Sequence, residues 1–184
     1  MAAREFDPLR LDVAAFAKEA AQADGSWPLA ALERVADCVP ADAVITEADA
    51  VNWSARGEAR PVRGGEPQFW LAVQADARVP LQCQRCLKPV TVPLQVDRRF
   101  LFVPGEDAAA QLDADSEDDV LALTRSLDLR ELIEDELLLA MPIVPRHEVC
   151  PDPLVAADGE GDLAEDEAPH PFAALAALKR AKLN

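Results

Sequence analysis

From Phe69 to Cys83 every odd position is apolar or a cysteine: Phe69, Leu71, Val73, Ala75, Ala77, Val79, Leu81, Cys83. Gln74, Asp76, Arg78 and Gln82 fall between them. Alternation with period 2 over this length allows one structure, a long strand with one buried face. After a short break at CLKP the pattern resumes on even positions, with Val90, Val92, Leu94, Val96, Phe100 and Phe102. Thr91, Gln95, Asp97 and Arg99 take the other side. Two such strands joined by a short turn predict an antiparallel hairpin. The motif Cys83-Gln84-Arg85-Cys86 then lies at its tip.

Around this hairpin the chain reads as an α+β domain over residues 1–150, an antiparallel sheet with flanking helices. The alanine-rich stretch 10–23 predicts one helix. SWPLAALERVADCVP predicts a second over 28–39, with Ser26 as cap and Cys38 as a half-buried thiol in its last turn. Val44-Ile45 and Val51–Trp53 carry weaker strand signals, and residues 60–67 a turn-rich break. Residues 105–119 read as an exposed acidic loop and 120–123 as a short strand. SLDLRELIEDELLLAMP is the best helix, over 128–141. Asp128 and Glu131 form a capping box, and Glu134 and Asp135 are assigned to its solvent side. Pro142 and Pro145 end it. Residues 151–169 are too acidic and too poor in large apolar groups to fold alone, so a disordered linker is expected there. Residues 170–184 follow as a short amphipathic helical tail, with Phe172 and Leu175 on one side and Lys179, Arg180 and Lys182 toward its end.

The C-x-x-C motif serves redox chemistry, metal binding or neither. A redox pair wants its thiols at a helix N-terminus, where the thiol pKa is lowered. A hairpin tip followed by Pro89 and β-branched residues is not one. A metal clip needs more ligands, and His147-Glu-Val-Cys150 offers them. Cys83, Cys86, His147 and Cys150 thus form a candidate structural zinc set, C-x2-C with H-x2-C. The wide gap between the pairs is acceptable only if the 128–141 helix brings His147 back to the hairpin tip. The alternative is a packed Cys83 with Cys86 and Cys150 incidental. Four protein ligands leave no open position for an activated water, so the site reads as structural. No Gly-rich phosphate loop, G-x-S-x-G or H-E-x-x-H motif is present, and no small-molecule substrate is expected.

The 184 residues carry a net charge of −16. Such a chain is a poor general binder of phosphate backbones, which need Lys and Arg to displace counterions. Basic partners suit it better. Only the middle segment, 54–104, has an excess of basic residues. Arg78, Arg85, Lys88, Arg98 and Arg99 lie there with Arg56, Arg60 and Arg63, interleaved with Trp53 and Trp70. Two readings stay open: a surface that meets phosphates and stacks bases, or core tryptophans beside ordinary surface arginines. With no apolar run of the about 18 residues a membrane span needs and no secretory-type N-terminus, a soluble intracellular protein without membrane contact is expected.

LQCQRCLKPV, LDLRELIEDELLLAMPIVPRHEVC and PFAALAALKR, in that order, resemble the three signature segments of the bacterial YceD family, the large ribosomal RNA subunit accumulation proteins. The resemblance covers roughly residues 5–180. It implies a cytoplasmic, non-enzymatic factor for synthesis, processing or stability of 23S ribosomal RNA. Its partners would be the large ribosomal subunit precursor or its proteins, with direct contact to ribosomal RNA as an option. The alternative is a metal-assisted ribonuclease acting on precursor ribosomal RNA. Some family members carry a further C-x-x-C after the helix. Here Pro153 stands where its second cysteine would fall, and His147 is the candidate replacement. The basic residues of the middle segment, with Phe172, Leu175, Lys179 and Arg180 of the tail, are the candidate RNA or partner contacts.

Overall fold

The structure is a computed structural model that describes residues 5–46 and 49–151. The expected linker and amphipathic tail, with Phe172, Leu175, Lys179 and Arg180, lie outside the described residues. The described chain is α+β, with a five-stranded sheet in the order β1-β2-β3-β4-β5. Its centre is the hairpin of β3 (Gln68–Gln82) and β4 (Pro89–Val103). These strands pair without interruption from Phe69 opposite Phe102 to Gln82 opposite Pro89. β2 (Ala50–Arg60) adds to β3 and β1 (Gln22–Pro28) adds to β2, both antiparallel. β5 (Asp119–Ala122) pairs parallel with Phe100–Val103 of β4, so one edge departs from the all-antiparallel expectation.

The alternation explains the core. Odd residues of β3 and even residues of β4 share one face with Val51, Trp53 and Ala55 of β2. Helix α1 (Val13–Lys18) supplies Val13, Phe16 and Ala17, and helix α4 (Leu129–Ala140) supplies Leu129, Ile133 and Leu137. α1 can lie this close because β2 carries a glycine opposite it. A Cβ on Gly57 would stand 2.7 Å from the Phe16 side chain and carbonyl and 2.8 Å from Ala17 Cα. The other face holds a small cluster of Trp70, Leu101, Ala109 and Val120, covered by helix α3 (Glu106–Asp115).

Several elements differ from the sequence reading. The expected 10–23 helix is only the six-residue α1, capped by the Asp12 side chain. The expected 28–39 helix reduces to a 3-10 turn, Leu29–Ala31, and one α-turn, α2 (Glu33–Ala36). Between them the chain turns into β1, because Gln22–Pro28 completes the sheet beside β2 and Trp27 stacks on Trp53 at 4.6 Å. Ser26 is therefore a strand residue, not a cap. Cys38 is exposed, its thiol donating to the Arg34 carbonyl. The expected loop at 105–119 contains α3.

Glu134, which the sequence reading assigns to the wet side of α4, is buried, and so is Glu136. Each is held by an arginine distant in sequence. Glu134 accepts from the backbone N–H groups of Arg34, at 2.7 Å, and Val35, at 3.2 Å, and from the Arg34 guanidinium. It thereby caps α2, whose own flanking residue Leu32 makes no side-chain cap. Glu136 pairs with Arg98 at 3.1 Å, and burial raises the pKa of its carboxyl. Arg98 occupies the one even position at which β4 breaks its apolar alternation.

Glu134→Ala should lower unfolding free energy in urea by about 1–3 kcal/mol, because it strands two backbone donors and a guanidinium. Asp135→Ala removes only an exposed ion pair to the same arginine and should cost less than about 1 kcal/mol.

Candidate metal centre

The hairpin ends in a tight knuckle. Cys83 N–H donates to the Lys88 carbonyl at 2.9 Å, and Leu87 N–H to the Cys83 carbonyl at 2.8 Å. Closing so short a turn forces Leu87 to φ +60, a left-handed conformation disfavoured for a branched side chain. The turn aims the backbone N–H groups of Arg85 and Cys86 at the Cys83 sulfur.

The second half of the centre arrives from α4. The helix ends at Ala140, and Pro142 and Pro145 keep the following strap, residues 142–150, from continuing as helix. Gln84 N–H donates to the Pro145 carbonyl at 2.9 Å, which docks the strap on the knuckle. Cys83, Cys86, His147 and Cys150 converge there. Their ligand atoms all lie within 4.8 Å of one another, and the group could hold a metal ion. The Cys83 and Cys150 sulfurs are 3.9 Å apart, and Cys86 Sγ is 3.5 Å from His147 Nδ1. Both Cys83 and Cys150 are buried. His147 Nε2 lies 3.0 Å from the Pro89 carbonyl oxygen. A carbonyl only accepts, so Nε2 carries the hydrogen and Nδ1 presents its lone pair to the thiols.

Burial raises the Cys83 thiol pKa. The backbone N–H groups of Cys86, His147 and Arg85 outweigh burial and lower it from 9.0 to about 5. Burial also raises Cys86, and the thiols of Cys150 and Cys83 add to that rise against the Lys88 N–H. One member of the set is thus prepared as a thiolate, the form that binds metals.

Arg85, read from sequence as an RNA contact, serves this cluster. Its Nε donates to Cys150 Sγ at 2.9 Å, and its terminal nitrogen reaches the His147 and Glu148 carbonyls at 3.0 and 3.3 Å. The other basic candidates are dispersed. Arg78 and Lys88 are exposed on the hairpin. Arg98 pairs with Glu136 and Asp119, and Arg99 with Asp118. Trp53 and Trp70 are buried. Arg60 lies over Trp70 at 4.6 Å and Arg99 at 5.3 Å. Neither tryptophan offers a free face for a base, so the core reading of both holds.

The family model for the large ribosomal RNA subunit accumulation protein YceD matches residues 71–179, from the core of β3 through both halves of the cluster. The chain belongs to the YceD family. A curated YceD relative, the large ribosomal RNA subunit accumulation protein of Haemophilus influenzae, is 39% identical over 114 residues. The match covers 59% of this chain and 63% of that YceD protein, so the chain spans less than two thirds of its relative's length. No solved structure matches the chain. No helix of the described residues is long and apolar enough to cross a membrane.

Arg85→Lys keeps the charge but loses the planar fork. Amide exchange at residues 146–150 should accelerate at least about tenfold, while β2–β4 amides stay protected. Cys83 also sets a pH dependence. A folded pKa below the unfolded one gives stability that is full above about pH 9 and lost as pH falls toward 5. The metal-free chain should therefore gain stability between about pH 5 and 9. Cys83→Ser should flatten that rise in pH-resolved urea titrations. The Cys86 shift has the opposite sign and acts only above the ordinary thiol range.

Proposed function

We propose that this chain is a non-enzymatic cytoplasmic factor in the accumulation of large-subunit ribosomal RNA, with Cys83, Cys86, His147 and Cys150 holding one structural zinc. The observation that carries the role is the family membership, shared with a relative named for that accumulation. The donor chemistry supports the metal. Three thiols and an imidazole are a soft tetrahedral set of the kind zinc takes. Bonds of about 2.3 Å to sulfur and 2.0–2.1 Å to nitrogen give tetrahedral edges of about 3.8 Å between sulfurs and 3.5 Å between sulfur and nitrogen. The separations here are 3.9 and 3.5 Å.

Zinc in this place would supply a cross-link between hairpin tip and strap. Four protein donors fill the tetrahedron, which argues for a structural role over the ribonuclease alternative. The chain's own groups do the remaining work. Pro89 fixes the imidazole tautomer, Arg85 offsets the excess thiolate charge, and the knuckle amides stabilise Cys83. The role we assign is to hold a rigid surface for the large-subunit precursor or its proteins. The tail residues Phe172, Leu175, Lys179 and Arg180 would add a tethered contact, an element of this proposal that rests on sequence alone.

Protein purified without chelator should contain about one zinc per chain by elemental analysis, and Cys150→Ser should lose most of it. In Haemophilus influenzae lacking its relative, expression of this chain should restore the ratio of large- to small-subunit ribosomal RNA. Failure there, with the chain stably expressed, would overturn the assigned role. Cleavage of precursor ribosomal RNA by the pure zinc-loaded protein would overturn the non-enzymatic reading. Deleting residues 170–184 should leave thermal stability unchanged and weaken association with large-subunit particles. Equal loss of both would place the tail in the fold instead.

A further inference from the structure

The β4 edge is paired only in part. β3 covers its whole length on one side, whereas β5 covers only Phe100–Val103 on the other. Which backbone groups face the uncovered side follows from the prolines. Pro93 has no N–H to give β3, and Pro80 stands opposite Thr91. The outward residues of β4 are therefore the odd ones. Two bonds agree: the Pro89 carbonyl reaches outward to His147, and the Val103 carbonyl outward to Leu123 N–H at 2.7 Å. Between these closed ends the open stretch runs from Thr91 to Asp97. It presents the N–H groups of Thr91, Gln95 and Asp97, and among the described residues none of the three has a protein acceptor.

A groove runs beside this edge. The strap forms its far wall next to Val90–Pro93, enclosing 710 Å³. Leu139 and Ala140 of α4 continue the wall beside Gln95–Arg98. Leu139 is 76% exposed and Val149 85%. Large aliphatic groups beside unpaired backbone donors are what an added strand requires. Main-chain bonds supply affinity, and alternate side chains find apolar cover. Thr91 to Asp97 spans about 20 Å, room for about six residues.

We propose that the Thr91–Asp97 edge binds an extended, basic segment of a partner protein by strand addition. Charge selects the occupant. A second copy would bring another −16 to a chain already at −16; exposed Asp97 and Glu148 border the groove, with Arg146 beside Glu148 and Arg98 already paired with Glu136 and Asp119. A segment alternating apolar and Lys or Arg residues complements both. Pro93 interrupts the donor row, so an added strand meets three donors, at Thr91, Gln95 and Asp97. The inference goes beyond the role proposed above, and its test reads the edge itself, so the two fail separately.

A random twelve-residue peptide library is selected against the full-length protein. Alternating basic and apolar binders should emerge and slow amide exchange at Thr91, Gln95 and Asp97. N-methylation of alternate peptide amides should abolish binding. Gln95→Pro, which removes one outward donor without touching the β3 ladder, should weaken binding at least about tenfold. Gln95→Ala should leave it unchanged. Equal affinities of those two variants, an empty selection, or binders that protect other amides would overturn the proposal. So would protection of the same amides by rising protein concentration alone or by an RNA oligonucleotide, which would assign the edge to a second copy or to RNA.

Discussion

Everything else in the molecule is hung on the ladder between β3 and β4. Its register, from Phe69 opposite Phe102 to Gln82 opposite Pro89, settles two matters at once. A slip of β4 by one residue would turn Phe100 and Phe102 out of the core that Leu71 and Val73 line. The same slip would remove Cys83 and Cys86 from the knuckle that faces His147. Core and cluster cannot be optimised separately, because one set of backbone bonds aligns both. The prolines at positions 80, 89 and 93 take strand positions whose missing N–H would point away from the partner strand, so the ladder loses nothing to them.

The second organising element is charge placed in the core. Glu134 and Glu136 lie on a helix that the apolar pattern alone would turn slightly differently. Burying a carboxylate is costly unless it is paired and hydrogen-bonded. Here Arg34 and two N–H groups of α2 satisfy Glu134, and Arg98 of β4 satisfies Glu136. These contacts fix the rotation of α4 about its axis. That rotation decides where the strap leaves the helix, and hence whether His147 and Cys150 meet the hairpin tip.

The parts legible in the sequence were those in which burial leaves a period. β3, β4 and α4 each bury one full face, so their alternation or helical spacing is written in apolar residues. β1 hid because it is an edge strand: Trp27 is its one large apolar side chain, and the alanines around it imitate a helix. α3 hid because it buries little beyond Ala109, although Glu106 and Asp107 in its first turn and the following alanines are helix signals. At the cluster, the pairing of C-x2-C with H-x2-C was readable from residue types. The burial of Glu134, the Pro89 contact and the use of Arg85 on Cys150 were not. Each depends on a partner brought from a distant segment, and an arginine looks the same whether it faces RNA or a cysteine sulfur.

The order in which these contacts form has a consequence of its own. Cys86 and His147 are 61 residues apart, and closing a loop of that size early costs entropy that four ligands must recover alone. The knuckle is local and can form with the hairpin. Along the chain the strap follows β5 and α4, so its place at the knuckle depends on how α4 lies on the sheet. The four candidate ligands therefore meet only in the folded domain. The metal proposed for this cluster would then seal the completed domain rather than seed it.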